Sequence, residues 1–229
     1  MRPIVFCLAT MLCVGTTATF AGASEPTTEE QETFYAMGLA ISQSIWTFSL
    51  NESELEIVKS GISDGVLKKT PKVDLQTFGP KIEQLQQARA SVIAEAEKKA
   101  GAAFLAKVSA GPGSKKTESG ALLTTIKEGK GISPKASDSV KVHYTGTLID
   151  GTVFESTLKQ SEPTTLVLSE MSKCWKEGIL QMKAGDKSRL ICPSNLAYRD
   201  KGMPPLIKPG ATLVFEIDLV EVVANQSLQ

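Results

Sequence analysis

Histidine is nearly missing from this chain: His143 is the single one in 229 residues. A histidine-based catalytic triad or a multi-histidine metal site therefore cannot be assembled within one chain. No GxxxxGK[ST] loop and no GxGxxG fingerprint occurs, so the usual phosphate and dinucleotide cradles are missing too. Neither sign of charge is in excess, with 25 basic and 25 acidic residues. That balance offers no basic face to a nucleic acid, and none is expected as a partner. There is no CxxC pair, which removes the common redox-catalyst motif. No repeat or low-complexity tract points to a structural or adhesive role. The carboxylates of Glu216 and Asp218 fall on the solvent side of a strand-like alternation and read as a wet face. Neither a metal nor a cofactor is expected.

Long hydrophobic runs are also scarce, and the most apolar one opens the chain. Arg2 supplies a positive end, Ile4 to Val14 are apolar apart from Thr10, and Ala21-Gly22-Ala23 offers a small-residue cleavage site before Ser24. The run is too short for an ordinary transmembrane helix, and no later segment reaches that length. Residues 1–23 therefore read as a secretory leader, with a retained N-terminal anchor as the alternative. A lipidated Cys13 is disfavoured by the bulky Leu12 before it. The mature chain is expected outside the cytoplasm, in the periplasm first, with outer-membrane association or release beyond it left open. Leader removal takes Cys7 and Cys13 away and leaves Cys174 and Cys192, 17 residues apart in between. An even pair in an oxidising compartment suggests one disulfide, adding about 3 kcal/mol in the chain-entropy model. Two small buried hydrophobes remain the alternative, because spacing does not say whether the Cβ atoms face each other.

What is present is ordinary for a soluble globular protein, with 41% hydrophobic and 22% charged residues. The pattern changes character near Gly111-Pro112-Gly113. Before it, the period is helical. Thr28 to Gln31 makes a T-x-x-Q capping box, and Phe34, Gly38, Ile41, Ile45 and Phe48 form one narrow seam. Met37, Leu39 and Trp46 widen that surface beyond what a lone small helix needs. Asn51 and Ser53 are cap candidates for a second helix through Leu55, Val58, Ile62 and Val66, broken by Thr70-Pro71-Lys72. A third helix is predicted from Asp74 to about Ser109, with Pro80 kinking it or delaying its start. Counted from Lys81 it would be about 40 Å long. Its distal half, rich in Ala, Glu and Lys, reads as a solvent-exposed arm. The excess apolar surface predicts a homodimer through residues 28–70; the alternative is packing against the C-terminal half of the same chain.

After Ser119 the period becomes two. Val140, Val142 and Tyr144 alternate with Lys141, His143 and Thr145, which puts His143 on the outer face. Asp150-Gly151 signals a tight turn. Leu213, Phe215, Ile217 and Leu219 point inward together. Lys173 to Met182 predicts one short amphipathic helix showing Trp175, Ile179 and Met182 on one face. This half is α+β, an antiparallel sheet wrapped on one helix. The expected organisation is a leader at 1–23, a helical dimerisation domain at 24–73, a long linker helix at 74–112 and an α+β domain at 113–229. Within that last domain Tyr144, Phe154, Trp175, Tyr198 and Phe215 are an unusual supply of inward aromatics for a pocket.

These residues also carry a family resemblance. Val142-His143-Tyr144-Thr145-Gly146 and Asp150-Gly151-Thr152-Val153-Phe154-Glu155-Ser156 resemble the opening of the FKBP domain. Trp175, Glu177-Gly178, Met182 and Gly185 resemble its helix and turn. Ala197-Tyr198, Gly202, Pro204 and Ala211-Thr212-Leu213-Val214-Phe215-Glu216 resemble its flap and last strand. The N-terminal half, most clearly Glu95-Ala96-Glu97-Lys98-Lys99 to Phe104-Leu105, resembles the dimerisation region of the macrophage infectivity potentiator group of bacterial FKBPs. The resemblance implies a peptidyl-prolyl cis–trans isomerase acting on proline-containing unfolded or partly folded proteins, and a macrolide inhibitor as a ligand. It implies Trp175 as pocket floor, with Tyr144, Phe154, Met171, Leu206 and Phe215 as walls. Tyr198 would offer its hydroxyl, and Ser172 its backbone N–H, to substrate carbonyls.

Departures from the family pattern bear on the site. Glu155 stands for the customary aspartate that orients Tyr144, Ser172 for an apolar wall residue, Cys174 for a glycine, Arg199 for the glycine after Tyr198, and Met203 for a frequent histidine. The competing reading is a dimeric chaperone that holds unfolded clients with little isomerase activity.

Overall fold

The computed structural model describes residues 25–224; the leader and cleavage site read at residues 1–23 lie outside them. The chain divides into two units after Ile41. The described part of the first unit belongs to helix α1 (Glu29–Ile45) and the residues leading into it. Thr28 Oγ1 accepts the Gln31 N–H at 3.3 Å, as the capping box predicts. The reciprocal arm closes one residue earlier: Gln31 Oε1 accepts from Thr27 N–H at 2.9 Å. None of the α1 residues is buried, and Phe34 is 58% exposed.

The second unit begins with a 3-10 turn, Trp46–Phe48, and α2 (Glu52–Val66). Asn51 caps α2 fully, its side chain accepting from Glu54 N–H while Glu54 Oε2 accepts from Asn51 N–H, both at 3.0 Å. Helix α3 (Leu75–Ser109) starts where Asp74 caps it, the carboxylate accepting from the Gln76 and Thr77 N–H groups. Pro80 does not delay that start. The helix runs through it from the Asp74 cap, without the hydrogen bond that an N–H at position 80 would donate to the Gln76 carbonyl. Arg89 of α3 donates to Phe48 O at 2.6 Å and grips the Glu54 carboxylate, fixing the α2 N-terminus.

The sheet contains β1 (Ser114–Lys116), β2 (Leu122–Lys127), β3 (Ser139–Leu148), β4 (Val153–Ser156), β5 (Thr164–Val167), β6 (Lys187–Cys192) and β7 (Leu213–Val223). Its order is β1-β2-β6-β7-β3-β4, with β5 also on β3, and every pairing is antiparallel. Alternation explains its two faces. Val140, Val142, Leu190, Leu213, Ile217 and Leu219 point inward onto α4 (Lys173–Ile179), making the main core. Met182, expected on that helix, lies just beyond its end and is fully buried. On β7, Glu216 and Asp218 turn outward and meet Arg189 and Lys187. His143 is on that outer side but half-buried rather than open.

The outer face holds the main correction to the sequence reading. The distal half of α3 is not a free spacer. Leu122, Ile191 and Val214 form a second apolar cluster, covered by Phe104, Leu105 and Val108 of α3. Ala94 and Gly101 are buried as well. The sheet is covered by the large side chains Phe104, Leu105 and Val108, while the small residues Ala94 and Gly101 let the helix backbone come close to Gly210 and Thr212 just before β7.

Candidate active site

Between α4 and the inner face of the sheet lies a cavity of about 280 Å³. Trp175 forms its floor because α4 presents it downward; Ser172 caps that helix, its hydroxyl oxygen accepting from Trp175 N–H at 3.5 Å. The ring is 6% exposed. Tyr144 from β3 and Phe215 from β7 meet it edge-on, each with ring centroids 5.0 Å away. Phe154 from β4 stands edge-on to Phe215 at 5.7 Å. These T-shaped contacts lock the rings, so the cavity is preformed and largely apolar.

Polar groups are few and placed at the rim. The Tyr144 hydroxyl donates to Glu155 Oε1 at 2.6 Å. The extra methylene of glutamate therefore does not keep the carboxylate from this tyrosine. Burial, then the Glu155 hydrogen bond and charge, push the Tyr144 hydroxyl well above the ordinary tyrosine range, so it stays protonated. Tyr198 is 42% exposed at the mouth, and Met171 and Ser172 line the entry to α4. Among the described residues, the Ser172 backbone N–H has no hydrogen-bond acceptor.

The structure thus brings Tyr144, Phe154, Glu155, Met171, Ser172, Trp175, Tyr198 and Phe215 to one cavity. Leu206 is not among them: it is 45% exposed on the loop beyond Tyr198, while its neighbour Ile207 turns into the core. Five lining residues carry no signal that separates them from plain core: Leu166, Cys192, Leu196, Ala197 and Leu213. Cys192 is bonded to Cys174, with the Cα atoms 5.8 Å apart, so a disulfide runs from beside Trp175 to the cavity wall. Thr157 was also not singled out by sequence. Its hydroxyl accepts the Tyr144 N–H at 2.9 Å and its N–H donates to Tyr144 O at 2.9 Å, fixing that strand position. Among the described residues no group of His, Cys, Asp or Glu side chains could hold a metal.

An apolar aromatic cavity with hydroxyl and amide donors at its rim suits a reaction that makes and breaks no covalent bond. Residues 130–220 match the model of the FKBP-type peptidyl-prolyl cis-trans isomerase, and residues 30–123 that of the domain amino terminal to FKBP-type peptidyl-prolyl isomerase. The chain is 36% identical over 214 residues to the FKBP-type peptidyl-prolyl cis-trans isomerase FkpA of Aeromonas hydrophila, covering 88% of this chain and 80% of that one. The chain belongs to the FKBP-type peptidyl-prolyl cis–trans isomerase family. The FKBP-type 22 kDa peptidyl-prolyl cis-trans isomerase of Escherichia coli is 33% identical, with 85% of this chain and 96% of that one aligned. The crystal structure of FkpA from Escherichia coli superposes with a TM-score of 0.65 at 29% identity, over 86% of this chain and 97% of that one. The activity of this isomerase is the rotation of X-Pro peptide bonds, and its N-terminal helices and antiparallel sheet follow the family architecture.

Proposed function

We propose that this isomerase works at the Trp175 cavity on proline-containing segments of exported proteins. The observation that carries the reading is the locked aromatic cavity with Tyr144 held by Glu155. An X-Pro bond rotates over a barrier of about 18–20 kcal/mol, because rotation removes amide resonance. The planar amide is the more polar form, so an apolar wall of Trp175, Phe154 and Phe215 destabilises it relative to the twisted one. Donors that reach the twisted amide add to this: the Tyr198 hydroxyl at the mouth, and the Ser172 N–H. Met171 completes the substrate wall, and Glu155 orients Tyr144. A macrolide that fills the same cavity would compete with the peptide.

The catalytic domain in this reading is residues 113–229, and the chain pairs with a second copy through residues 28–70. That α1 and α2 bury none of their residues, with Phe34, Met37, Leu39, Ile57 and Val66 exposed, supports that pairing. Export to the periplasm rests on the leader read at residues 1–23 and agrees with the Cys174–Cys192 bridge. Among the described residues no helix is long and apolar enough to cross a membrane.

The test is turnover of a short X-Pro peptide by residues 24–229, with and without macrolide, beside a Tyr144→Phe plus Trp175→Ala variant. Macrolide-sensitive turnover that falls by at least about tenfold in the variant is expected. Undiminished turnover in a correctly folded variant would remove the cavity assignment.

A further inference from the structure

We propose that helix α3, which contributes no side chain to the cavity, is a positioning element of the active site. It would hold the loop between Tyr198 and Leu213, two residues that line the cavity. This inference rests on the cavity being the catalytic site.

Both ends of that loop are seated on α3. At its start, Lys98 of α3 binds the Asp200 carboxylate at 2.8 Å. Near its end, Glu97 of α3 binds Lys208 at 3.2 Å. Two glycine contacts lie beside these ion pairs. Gly210 presses its Cα side onto the backbone of Ala94, so that a Cβ there would collide with the helix. Gly101 faces Thr212, and a Cβ on Gly101 would run into Thr212 Oγ1. Glycine in a helix interior weakens the helix relative to alanine. Gly101 is better explained by the close approach than by the helix.

A short covalent and hydrogen-bonded path leads from these contacts to Tyr198. The Gly210 N–H donates to Arg199 O at 2.8 Å, and Arg199 is the residue after Tyr198. Arg199 has φ +52°, a left-handed conformation that a non-glycine residue keeps only where its surroundings enforce it. The seam with α3 supplies that enforcement: Ala94 seats Gly210, Gly210 holds Arg199, and Arg199 sets the backbone from which Tyr198 reaches the mouth. At the other end, Thr212 is 3% exposed and directly precedes the wall residue Leu213. Exposed ion pairs contribute little individually, so the two glycine seats should dominate and the lysine pairs should trim the effect.

The experiment is kinetic and uses the whole mature chain. Gly101→Ala should lower kcat/KM on a short X-Pro peptide about tenfold, because a displacement on the order of 1 Å at the rim costs positioning. The helical circular-dichroism signal should not fall. Adding Thr212→Ala removes the clashing oxygen and should return most of the activity, a coupling that general damage would not produce. Lys98→Ala should lower kcat/KM about twofold at low salt, and Lys98→Arg should restore it. Wild-type kcat/KM in Gly101→Ala overturns the proposal, and so does a loss that Thr212→Ala fails to relieve. Trp175→Ala, measured alongside, separates the two levels of the argument. A loss there with none in Gly101→Ala overturns the role of α3 alone. A loss in neither overturns the cavity assignment beneath it.

Discussion

Helix α4 has seven residues and buries four of them, Cys174, Trp175, Gly178 and Ile179, whereas α1 has 17 residues and α2 has 15, and neither buries any. All three carry apolar residues at helical spacing. The contrast shows what such spacing does and does not mean: it says that a face needs covering, not what covers it. In α4 the cover is the inner face of a sheet from the same chain. In α1 and α2 most apolar residues remain exposed and none is buried, which is the support for the proposed pairing with a second copy.

The sharpest way to break this comparison is to truncate one aromatic in each region. Trp175→Ala should destabilise the folded chain by about 3–5 kcal/mol, because it leaves a void among Tyr144, Phe215 and the core. Phe34→Ala should change unfolding free energy by no more than about 0.5 kcal/mol at concentrations where the chain is monomeric. It should instead weaken self-association in light scattering. Equal losses of stability from denaturant titration would mean that α1 is buried in the monomer after all.

A smaller effect separates the two regions by acid and salt. The Arg89 hydrogen bond and the Asn51 N–H hold the Glu54 carboxyl down at about 2, while the Ser119 hydroxyl and N–H hold Glu177 down at about 2. Both carboxyls sit below their unfolded value near 4.5, so each contributes stability that is full above about 4.5 and is lost as pH falls toward 2. The Glu54 contribution is carried by an ion pair and should shrink in high salt. The Glu177 contribution comes mainly from the neutral Ser119 donors, with Lys173 a lesser charge 3.7 Å away, and should largely persist. Glu177→Gln should therefore flatten the acid limb of the stability curve with little dependence on salt, and Glu54→Gln more at low salt than at high. Identical salt responses would deny the distinction.

The smallest effect concerns backbone strain. Lys68 follows α2 at φ +53°, and Arg199 follows Tyr198 at φ +52°. Either residue replaced by glycine should raise stability by about 1 kcal/mol, read from the thermal midpoint. Lys68→Gly should leave peptide turnover unchanged. Arg199→Gly should alter it, because that backbone carries a cavity wall. Turnover changed by neither or by both would erase the difference.

Much of this was legible beforehand because the signals are local. Asn51 caps α2 as its side chain predicts, and α3 begins beside Asp74 as expected, since capping needs only residues within four positions. The alternation of Val140, Val142 and Tyr144 fixed the inward face of β3. Trp175, Tyr144, Phe154 and Phe215 could be assigned to one pocket because their order and type resemble the FKBP domain. Leu206 could not, because its loop reverses direction and gives the buried place to Ile207. Thr157 escaped notice because a buried threonine that braces a backbone looks like any other threonine in sequence.

Composition and periodicity by themselves determined the helical half, the sheet half, the capped helix starts and the residue types of the cavity. They do so because period, capping and turn chemistry act over a few residues. Only the tertiary structure decided that α3 lies against the sheet, that Cys174 meets Cys192, and that Gly101 and Gly210 seat the loop beside Tyr198. The disulfide joins residues 18 positions apart, and the contacts between α3 and the loop join residues more than 100 apart. An Ala-Gly-rich helix face reads the same whether it faces water or packs closely, until a second surface is brought against it.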